Sequence, residues 1–344
     1  MCAPEPGKCK LNGTITTATA ANAAFFRLDK QLGLEQGSLS PRLAQEVVWL
    51  SGLVTYRQVS QVLERVGGCC VPTTTVWEQV QHTGEQLVAQ HTSQQRQVSL
   101  DRTQWEQPRY DSQLRKGVSL DGGMLNVRGE GWKEFKVGVV STLVPPQNQA
   151  ENEAAITHDP HYTAVLGDVE QFAPALWALA VEHAVPYAGH VVVTADGAAW
   201  IWRLSADLFP CSTQIVDYYH ATQHLAEAAQ ALYPTDTEAA KRFTNAGKDW
   251  LLTDEVWKIS AALRAANLPQ HAAYFEEHRY RMVYAMFRAQ GYPIGSGAIE
   301  SGVKQFKHRL AGPGMRWSRP GVERMLVIRS AALDDSFDQL YLVA

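Results

Sequence analysis

The spacing of hydrophobic positions changes along the chain, and the change predicts where helices give way to strands. Across residues 40–88, apolar side chains recur every three or four positions, as on one buried helix face. Helix-start patterns at Ser40, Thr55 and Thr73 divide this region into three short helices. Such a trio with a glycine-containing turn before the last helix is typical of a helix-turn-helix. Because the exposed positions of the third helix are polar rather than basic, a plain three-helix packing module remains the alternative.

From Gly117 onward, short and nearly continuous apolar runs indicate buried strands instead. Three such runs come first, and a helix, a strand, a second helix and a short final strand follow. The predicted strands are 118–121, 135–143, 162–166, 190–196 and 213–216, and the predicted helices are 168–183 and 198–209. This order predicts an α/β fold of the ribonuclease H-like kind, in which helices flank a mixed sheet.

These changes of pattern divide the chain into six segments. A helix-turn-helix domain is expected after an irregular N-terminus, and a polar linker joins it to the α/β domain, whose two parts flank a nearly all-helical segment. The predicted bounds are 1–26 for the N-terminus, 27–89 for the helix-turn-helix domain, 90–116 for the linker, 117–219 for the first part of the α/β domain, 220–290 for the helical segment and 291–344 for the second part.

The chain is weakly acidic overall and basic in one region. Its formal charge is −4 and its pI about 6.3, which argues against a protein that coats nucleic acid non-specifically. Residues 301–330, however, contain seven Lys or Arg and one acidic residue, so a polyanion could be held there. The most apolar stretch, 174–193, is interrupted by charged residues and a proline, and it cannot span a bilayer. With no signal segment and five irregularly spaced cysteines, the sequence predicts a cytoplasmic protein with reduced thiols and no membrane partner.

Two aspartates lie where predicted buried strands meet loops, and glycine follows each of them. Asp121 ends the first predicted strand and Asp196 ends the fourth. Carboxylates at the ends of neighbouring central strands commonly share a cleft. Glu300, on a later helix, would add a third acid, and converging carboxylates repel one another unless a cation neutralises them. The three acids therefore predict Mg²⁺, with Mn²⁺ as a substitute, although an aspartate before glycine is also a common turn residue.

The helix that carries Glu300 has two distinct faces. A Gly-Ser-Gly turn at 295–297 opens it, and its apolar residues then recur at the spacing of helical turns. Beside that stripe, Glu300, Lys304 and Lys307 repeat along one flank, so one carboxylate lies a turn below two ammonium groups. This arrangement predicts a metal-binding acid followed by phosphate-binding lysines. The alternative is an amphipathic helix with a Glu–Lys pair that contributes a few tenths of a kcal/mol.

A second acidic group lies at a predicted strand-to-helix junction. Asp217 and His220 are three residues apart there and could share a hydrogen bond that fixes the imidazole. A structural role beside the site and a direct contact with phosphate or metal both remain open. Three other histidines are interpreted as ordinary polar residues, namely His158, His161 and His224.

A tight loop follows the Glu300 helix and carries Arg316 and Trp317. One hypothesis is that these residues grip a DNA end, the arginine by phosphate pairing and the tryptophan by stacking. The other is a helix-capping turn in which Trp317 is buried.

Short motifs along the chain resemble the DDE-type transposases of bacterial insertion sequences, in particular the ISKra4 group, which is related to the Mutator-like superfamily. The motifs are Ser119-Leu-Asp121-Gly-Gly, Trp132-Lys-Glu-Phe-Lys-Val-Gly138, Thr194-Ala-Asp196-Gly-Ala-Ala-Trp-Ile-Trp202, Asp217-Tyr-Tyr-His220, Ile294-Gly-Ser-Gly-Ala-Ile-Glu300-Ser and Gly314-Met-Arg-Trp317. The resemblance implies that Asp121, Asp196 and Glu300 are the metal-binding acids. It also implies that residues 220–290 are an insertion into the catalytic domain, and that Asp217 and His220 form a (Cys/Asp)-x-x-His motif.

The activity that this resemblance implies is Mg²⁺-dependent cleavage at the ends of an insertion sequence, followed by transfer of the freed 3′-hydroxyl to target DNA. The implied partner is double-stranded DNA, on which the protein would assemble as a homo-oligomer at the bacterial nucleoid. The residues expected to contact DNA are Lys304, Lys307, Arg309, Arg316 and Trp317. Two alternatives remain open: a structure-specific nuclease without strand transfer, and a domesticated, non-catalytic DNA-binding protein.

Overall fold

The computed structural model describes residues 39–98, 111–145, 156–334 and 337–338, with the backbone of two short strands before them. Those strands pair Ile15–Thr16 with Phe25–Phe26 in antiparallel register. The remainder of the predicted irregular N-terminus and the start of the predicted helical domain lie outside the described residues. The chain divides into two compact units, 1–80 and 81–344. Within the described ranges, no helix has the length and apolar character needed to cross a membrane.

The first unit contains the predicted helices, which begin where the sequence places their starts. They are α1 (Pro41–Leu53), α2 (Tyr56–Gly67) and the first turns of α3 (Thr73–Gln97). Thr55 and Gln58 cap α2 reciprocally, which confirms the predicted capping box, and Gly68 adopts a left-handed conformation with φ of 63° after the helix. A small core of valines joins the three helices, formed by Val47, Val59, Val71 and Val76.

The predicted linker at 90–116 is shorter in the structure. Residues 90–97 continue α3, which is 25 residues long, and residues 111–116 already belong to the first strand of the sheet. Residues 99–110, between these elements, lie outside the described part of the chain. The glutamine-rich end of α3 lacks an apolar stripe, so hydrophobic periodicity could not identify it as a helix.

The second unit is an α/β domain built on a five-stranded mixed sheet. The strands are β1 (Asp111–Val127), β2 (Gly131–Val144), β3 (Ile156–Leu166), β4 (Ala188–Ala195) and β5 (Thr213–Val216). Their spatial order is β3-β2-β1-β4-β5, so the longest strand lies in the centre. The first three strands form an antiparallel meander, whereas β4 and β5 run parallel to β1. A mixed sheet with the predicted number and sequence of strands is therefore confirmed.

The central strand extends further than its apolar run predicts. Asp121 does not end β1, because antiparallel pairing with β2 continues from Asp121↔Val137 to Val127↔Gly131. The parallel pairing with β4, in contrast, stops at Ser119↔Thr194. Asp121 consequently lies within the antiparallel pairing with β2 and two residues beyond the last parallel pair with β4. The strand continues to the hairpin turn that leads into β2, where Gly129 and Gly131 both have positive φ.

Helices follow and separate the strands of this domain. Their bounds are α4 (Val169–Glu182), α5 (Ala199–Leu208), α6 (Tyr218–Leu232), α7 (Thr237–Leu252), α8 (Val256–Ala265), α9 (Pro269–Glu277), α10 (Tyr284–Ala289), α11 (Gly297–Leu310) and α12 (Arg319–Leu333). Two single-turn 3₁₀ helices, Val185–Tyr187 and Arg279–Arg281, lie among them. The segment predicted to be nearly all helical, 220–290, corresponds to α6–α10.

Helices cover both faces of the sheet. On one face α11 packs across β1 and β2, and its fully buried Phe306 contacts the rings of Phe135 and Tyr162. On the opposite face, α4 approaches β2 so closely that a Cβ at Gly138 would come within 2.7 Å of Leu176. Since successive residues of a strand point to opposite faces, β2 is buried on both sides. The sheet is therefore the centre of the domain and fixes the positions of side chains at its edge.

Candidate functional site

Strand register brings three aspartates to one edge of the sheet. The last parallel pair of β1 and β4 is Ser119↔Thr194, so two residues further along Asp121 is level with Asp196. The last pair of β4 and β5 is Ala195↔Val216, so one residue further Asp217 is level with Asp196 as well. The backbone N–H of Asp217 also donates to the carbonyl of Ala195, at 2.7 Å. Adjacent strands lie about 4.8 Å apart, and level residues point to the same face, so Asp196 lies between Asp121 and Asp217.

The first two of these carboxylates line one open cleft. Oδ1 of Asp121 accepts the backbone N–H of Gly122 at 2.6 Å, and Oδ1 of Asp196 accepts that of Ala198 at 2.9 Å. The cleft has a volume of about 440 Å³ and is lined by both aspartates and by Lys307. Each bond engages one oxygen, and among the described residues no hydrogen bond is formed by the second oxygen of either carboxylate, so both could act as ligands.

Electrostatics disfavours two ionised carboxylates in this cleft. Burial raises the pKa of Asp121, and the charge of Asp196 raises it further. The hydrogen bond from Gly122 and the positive charges of Lys307 and His220 act in the opposite direction without cancelling the rise. A divalent cation bound between the aspartates would remove this conflict, and oxygen donors are the ligands that Mg²⁺ prefers.

Asp217 differs from the other two because both of its carboxylate oxygens already accept backbone hydrogen bonds. The residue is completely buried, and its Oδ1 accepts the backbone N–H of His220 at 2.9 Å as the N-cap of α6. Its Oδ2 accepts the backbone N–H of Ser296, immediately before α11. One side chain therefore fixes the start of two helices. This geometry favours the structural role for Asp217 over direct contact with phosphate.

Glu300 lies in a cluster next to the aspartate pair. Ligand atoms of Asp217, His220 and Glu300 are all within 4.8 Å of one another. Oε1 of Glu300 is 4.0 Å from Nε2 of His220, and Oε2 is 3.3 Å from the ammonium group of Lys304. The depression that Glu300 lines is formed with residues of α11 and α12 rather than with Asp121. The three predicted acids therefore do not form a single cluster. Asp121 and Asp196 line one cleft, whereas Glu300 lies with Asp217 and His220. The two groups adjoin because Asp217 is level with Asp196.

The basic residues of α11 separate into exposed and buried sets. Lys304 and Lys307 are exposed, and the Cε atom of Lys307 lies 2.9 Å from the Cβ position that Gly123 lacks, at the floor of the cleft. Arg309, predicted to contact DNA, is instead only 3% exposed, and its guanidinium lies 5.1 Å from the ring centre of Trp317. A buried guanidinium is not presented to a phosphate backbone, so this structure assigns Arg309 to packing.

The loop after α11 supports the capping hypothesis for its tryptophan. The indole N–H of Trp317 donates to the carbonyl of Leu310 at 2.9 Å, at the C-terminal end of the helix. The carbonyl of Trp317 in turn accepts the N–H of Arg128 at 2.8 Å, which ties the loop to the hairpin of β1 and β2. Arg316 is exposed beside it. Of the two predicted DNA contacts in this loop, Arg316 is exposed and Trp317 is half-buried.

Further side chains, none of them among the predicted site residues, also lie around the aspartates. Glu134 and Trp200 line the same cleft. Lys136, 3% exposed, contacts both of them, with its ammonium 2.8 Å from Glu134 and 4.6 Å from the Trp200 ring centre. In the sequence, Glu134 lies between Lys133 and Phe135, and nothing distinguishes it from an ordinary polar residue. Only the pairing of β2 with β1 brings it to the cleft.

A stability measurement without metal tests the charge conflict directly. Because the pKa of Asp121 is raised in the fold, its ionised form destabilises the native state, and this penalty appears as pH rises through the raised pKa. Asp121→Asn is therefore expected to be more stable than the wild type in EDTA at neutral pH, on the order of 1 kcal/mol. The difference should vanish at low pH, where Asp121 is protonated. Mg²⁺ should stabilise the wild type and not the variant.

Denaturant titrations of both proteins at several pH values measure this difference. A variant less stable than the wild type at neutral pH would show instead that the aspartate is favourably neutralised by protein groups alone.

The geometry comprises two neighbouring carboxylates with free oxygens, a third acid nearby and an exposed lysine on the cleft wall. Such a site can bind a divalent cation and attract a phosphate to it.

A scan against protein-family models and a search of curated proteins find nothing that matches this chain.

Proposed function

We propose that this chain is a DNA transposase that cleaves the ends of an insertion sequence and joins them to target DNA, with Mg²⁺ as its cofactor. The observation that carries the proposal is the level placement of Asp121 and Asp196 on adjacent parallel strands, beside Lys307. The sheet order, with a central β1 and an antiparallel β2, supports a ribonuclease H-like catalytic domain. The glycine-ended turn between α2 and α3 supports a helix-turn-helix as the DNA-recognition module.

The donor set fits the proposed cation. Asp121 and Asp196 would hold Mg²⁺ through their second carboxylate oxygens, and the pKa of Asp121, raised by burial and by the charge of Asp196, would be lowered by a bound cation. When bound, the ion supplies Lewis-acid stabilisation of the charge that develops on a phosphodiester. Glu300, which shares its cluster with His220, is the proposed third acid.

The protein's own residues would bind and orient the DNA. Lys307 would pair with the phosphate next to the scissile bond, and Lys304 and Arg316, both exposed, would hold the flanking backbone. In the first step a water oxygen attacks phosphorus and a 3′-hydroxyl leaves. In the second step that hydroxyl attacks a target phosphodiester, so one P–O bond forms as another breaks. Because the two ends of the element must be brought together, the protein would assemble on DNA as a homo-oligomer. This assembly would take place at the nucleoid.

The direct test uses the full chain, Mg²⁺ and a plasmid that carries the genomic sequences flanking the gene on both sides. Expected products are 3′-hydroxyl nicks at the outer ends of the flanking repeats and labelled ends covalently joined to a second plasmid. Both should require divalent metal, and Mn²⁺ should replace Mg²⁺. Cleavage without joining would identify a nuclease of the same fold instead. DNA binding with no cleavage in either metal would indicate a non-catalytic DNA-binding protein.

A further inference from the structure

A second cluster of potential metal ligands lies away from the aspartates, at the antiparallel strand β3. It contains His161 on β3, His183 immediately after α4, and Asp334 immediately after α12. One ligand atom from each of the three residues lies within 4.8 Å of the others. These residues are more than 20 positions apart along the chain, so only the packing of β3, α4 and α12 brings them together. No step of the proposed DNA chemistry uses them.

The contacts within this cluster are close. Nδ1 of His161 lies 2.7 Å from Oδ2 of Asp334, and the rings of His161 and His183 stack with centroids 3.5 Å apart and planes inclined by 14°. Asp334 is 9% exposed. From the sequence, His161 was predicted to be an ordinary polar residue; the structure places it instead in a half-buried cluster, in contact with both His183 and Asp334. Nothing in its local sequence signals this position.

The donor atoms of the cluster suit a metal ligand set. Neutral imidazole nitrogen is a common metal donor, and histidine can supply it at neutral pH. Two stacked imidazoles cannot both be protonated without strong repulsion. The carboxylate of Asp334 supplies the negative charge that a divalent cation requires.

Beside the cluster is space for an additional ligand. A cavity of about 370 Å³ is lined by the three residues together with His91 and Glu182. Glu182 is a second carboxylate beside Asp334 in this lining, and neighbouring carboxylates repel each other less when a cation lies between them.

We propose that His161, His183 and Asp334 form a binding site for Zn²⁺, separate from the strand-end acids. Two imidazoles and one carboxylate are a ligand set typical of zinc, with the fourth position left to water or to a side chain lining the cavity. Magnesium, which prefers an all-oxygen set, is disfavoured by the two nitrogen donors. The ion would join β3 to the ends of α4 and α12 and so stabilise the C-terminal part of the domain.

The test uses the full chain, freed of metal with EDTA and dialysed, and titrated with Co²⁺ in the presence of excess Mg²⁺. We expect one equivalent of Co²⁺ to bind, with the visible ligand-field bands of a site of low coordination number. Stoichiometric Zn²⁺ should abolish those bands and raise the melting temperature of the protein. A chain that takes up no tight equivalent of either ion would overturn the proposal, and the cluster would then be a metal-free hydrogen-bond network.

Substitutions locate the ion. Loss of a direct ligand should weaken binding more than loss of an outer-shell partner does, so His183→Gln and Asp334→Asn should each weaken Zn²⁺ affinity by about 100-fold or more. His158→Gln is the matched control, because His158 is an exposed histidine on the same strand, and it should bind as the wild type does. Circular dichroism of the metal-free variants separates loss of a ligand from loss of the fold, and His161→Gln replaces either variant that does not fold.

Two results of this series would contradict the proposal. One is a loss of Zn²⁺ in the His158→Gln control that equals the loss in His183→Gln. The other is a tight ion that disappears in Asp196→Asn and persists in His183→Gln, because the ion would then belong to the strand-end cleft. Since binding is read by spectroscopy, both results are independent of DNA cleavage.

Discussion

Asp196→Asn is expected to reduce Mg²⁺-dependent DNA cleavage by about 10³-fold or more, because metal-assisted stabilisation of several kcal/mol is lost and each 1.36 kcal/mol is tenfold in rate. The substitution keeps the shape of the side chain and the acceptor oxygen that bonds Ala198. It removes the negative charge of one of the carboxylates that line the cleft. Asp121→Asn, at the level position of the adjacent strand, should have an effect of similar size.

The matched control for this prediction is Asp207→Asn. Asp207 is an exposed residue of α5, so its replacement changes the net charge equally without touching the cleft. Cleavage rates of a labelled duplex, measured over a range of Mg²⁺ concentrations, compare the three variants with the wild type. If Asp196→Asn cleaves within tenfold of the wild type at saturating Mg²⁺, the chemistry occurs elsewhere or does not use this pair.

Asp217→Ala is expected to destabilise the folded domain by about 2–4 kcal/mol, since one buried and one half-buried N–H group lose their acceptor and one helix loses its N-cap. The donors are the backbone N–H groups of His220 and Ser296. Ser296 precedes the helix that carries Glu300, so loss of the hydrogen bond to Ser296 also loosens the attachment of that helix. Asp217→Asn should lose one of the two bonds, because its amide NH₂ would face an N–H donor, and should have an intermediate effect.

Asp236→Ala is the control that isolates burial from capping. Asp236 caps α7 through the same kind of bond, to the N–H of Ala239 at 2.9 Å, but it is exposed. Its replacement should cost about 1 kcal/mol, as an exposed N-cap does. Urea unfolding of the variants gives both free energies. Equal losses at positions 217 and 236 would mean that the bond to Ser296 contributes little and that Asp217 is an ordinary cap.

Local patterns predicted several elements because the forces that set them are local. A continuous apolar run before Asp196 predicted the buried strand β4, and Thr55 with Gln58 predicted the start of α2. The apolar stripe of α11 predicted the face that packs on the sheet, where Phe306 is fully buried. In each case neighbouring residues carry both the signal and the interaction.

The prediction was less complete wherever a distant segment decides the environment. The end of β1 was placed at Asp121, but pairing with β2 extends the strand to Val127. Arg309 was predicted to be a DNA contact from its place in a basic run; it is buried because the loop with Trp317 folds back over it. A sequence pattern shows which residues are charged, not which of them a later segment will cover.

The sequence by itself determined the α/β order of elements, the helix starts and the acids that follow apolar strands, because side-chain periodicity and capping act over a few residues. Only the tertiary structure decided which of those acids are neighbours. Strand register sets Asp121, Asp196 and Asp217 level with one another, and the bond from Ser296 holds the helix of Glu300 beside them. Register and helix docking depend on the free energy of burying whole faces of the sheet, which no short stretch of sequence contains.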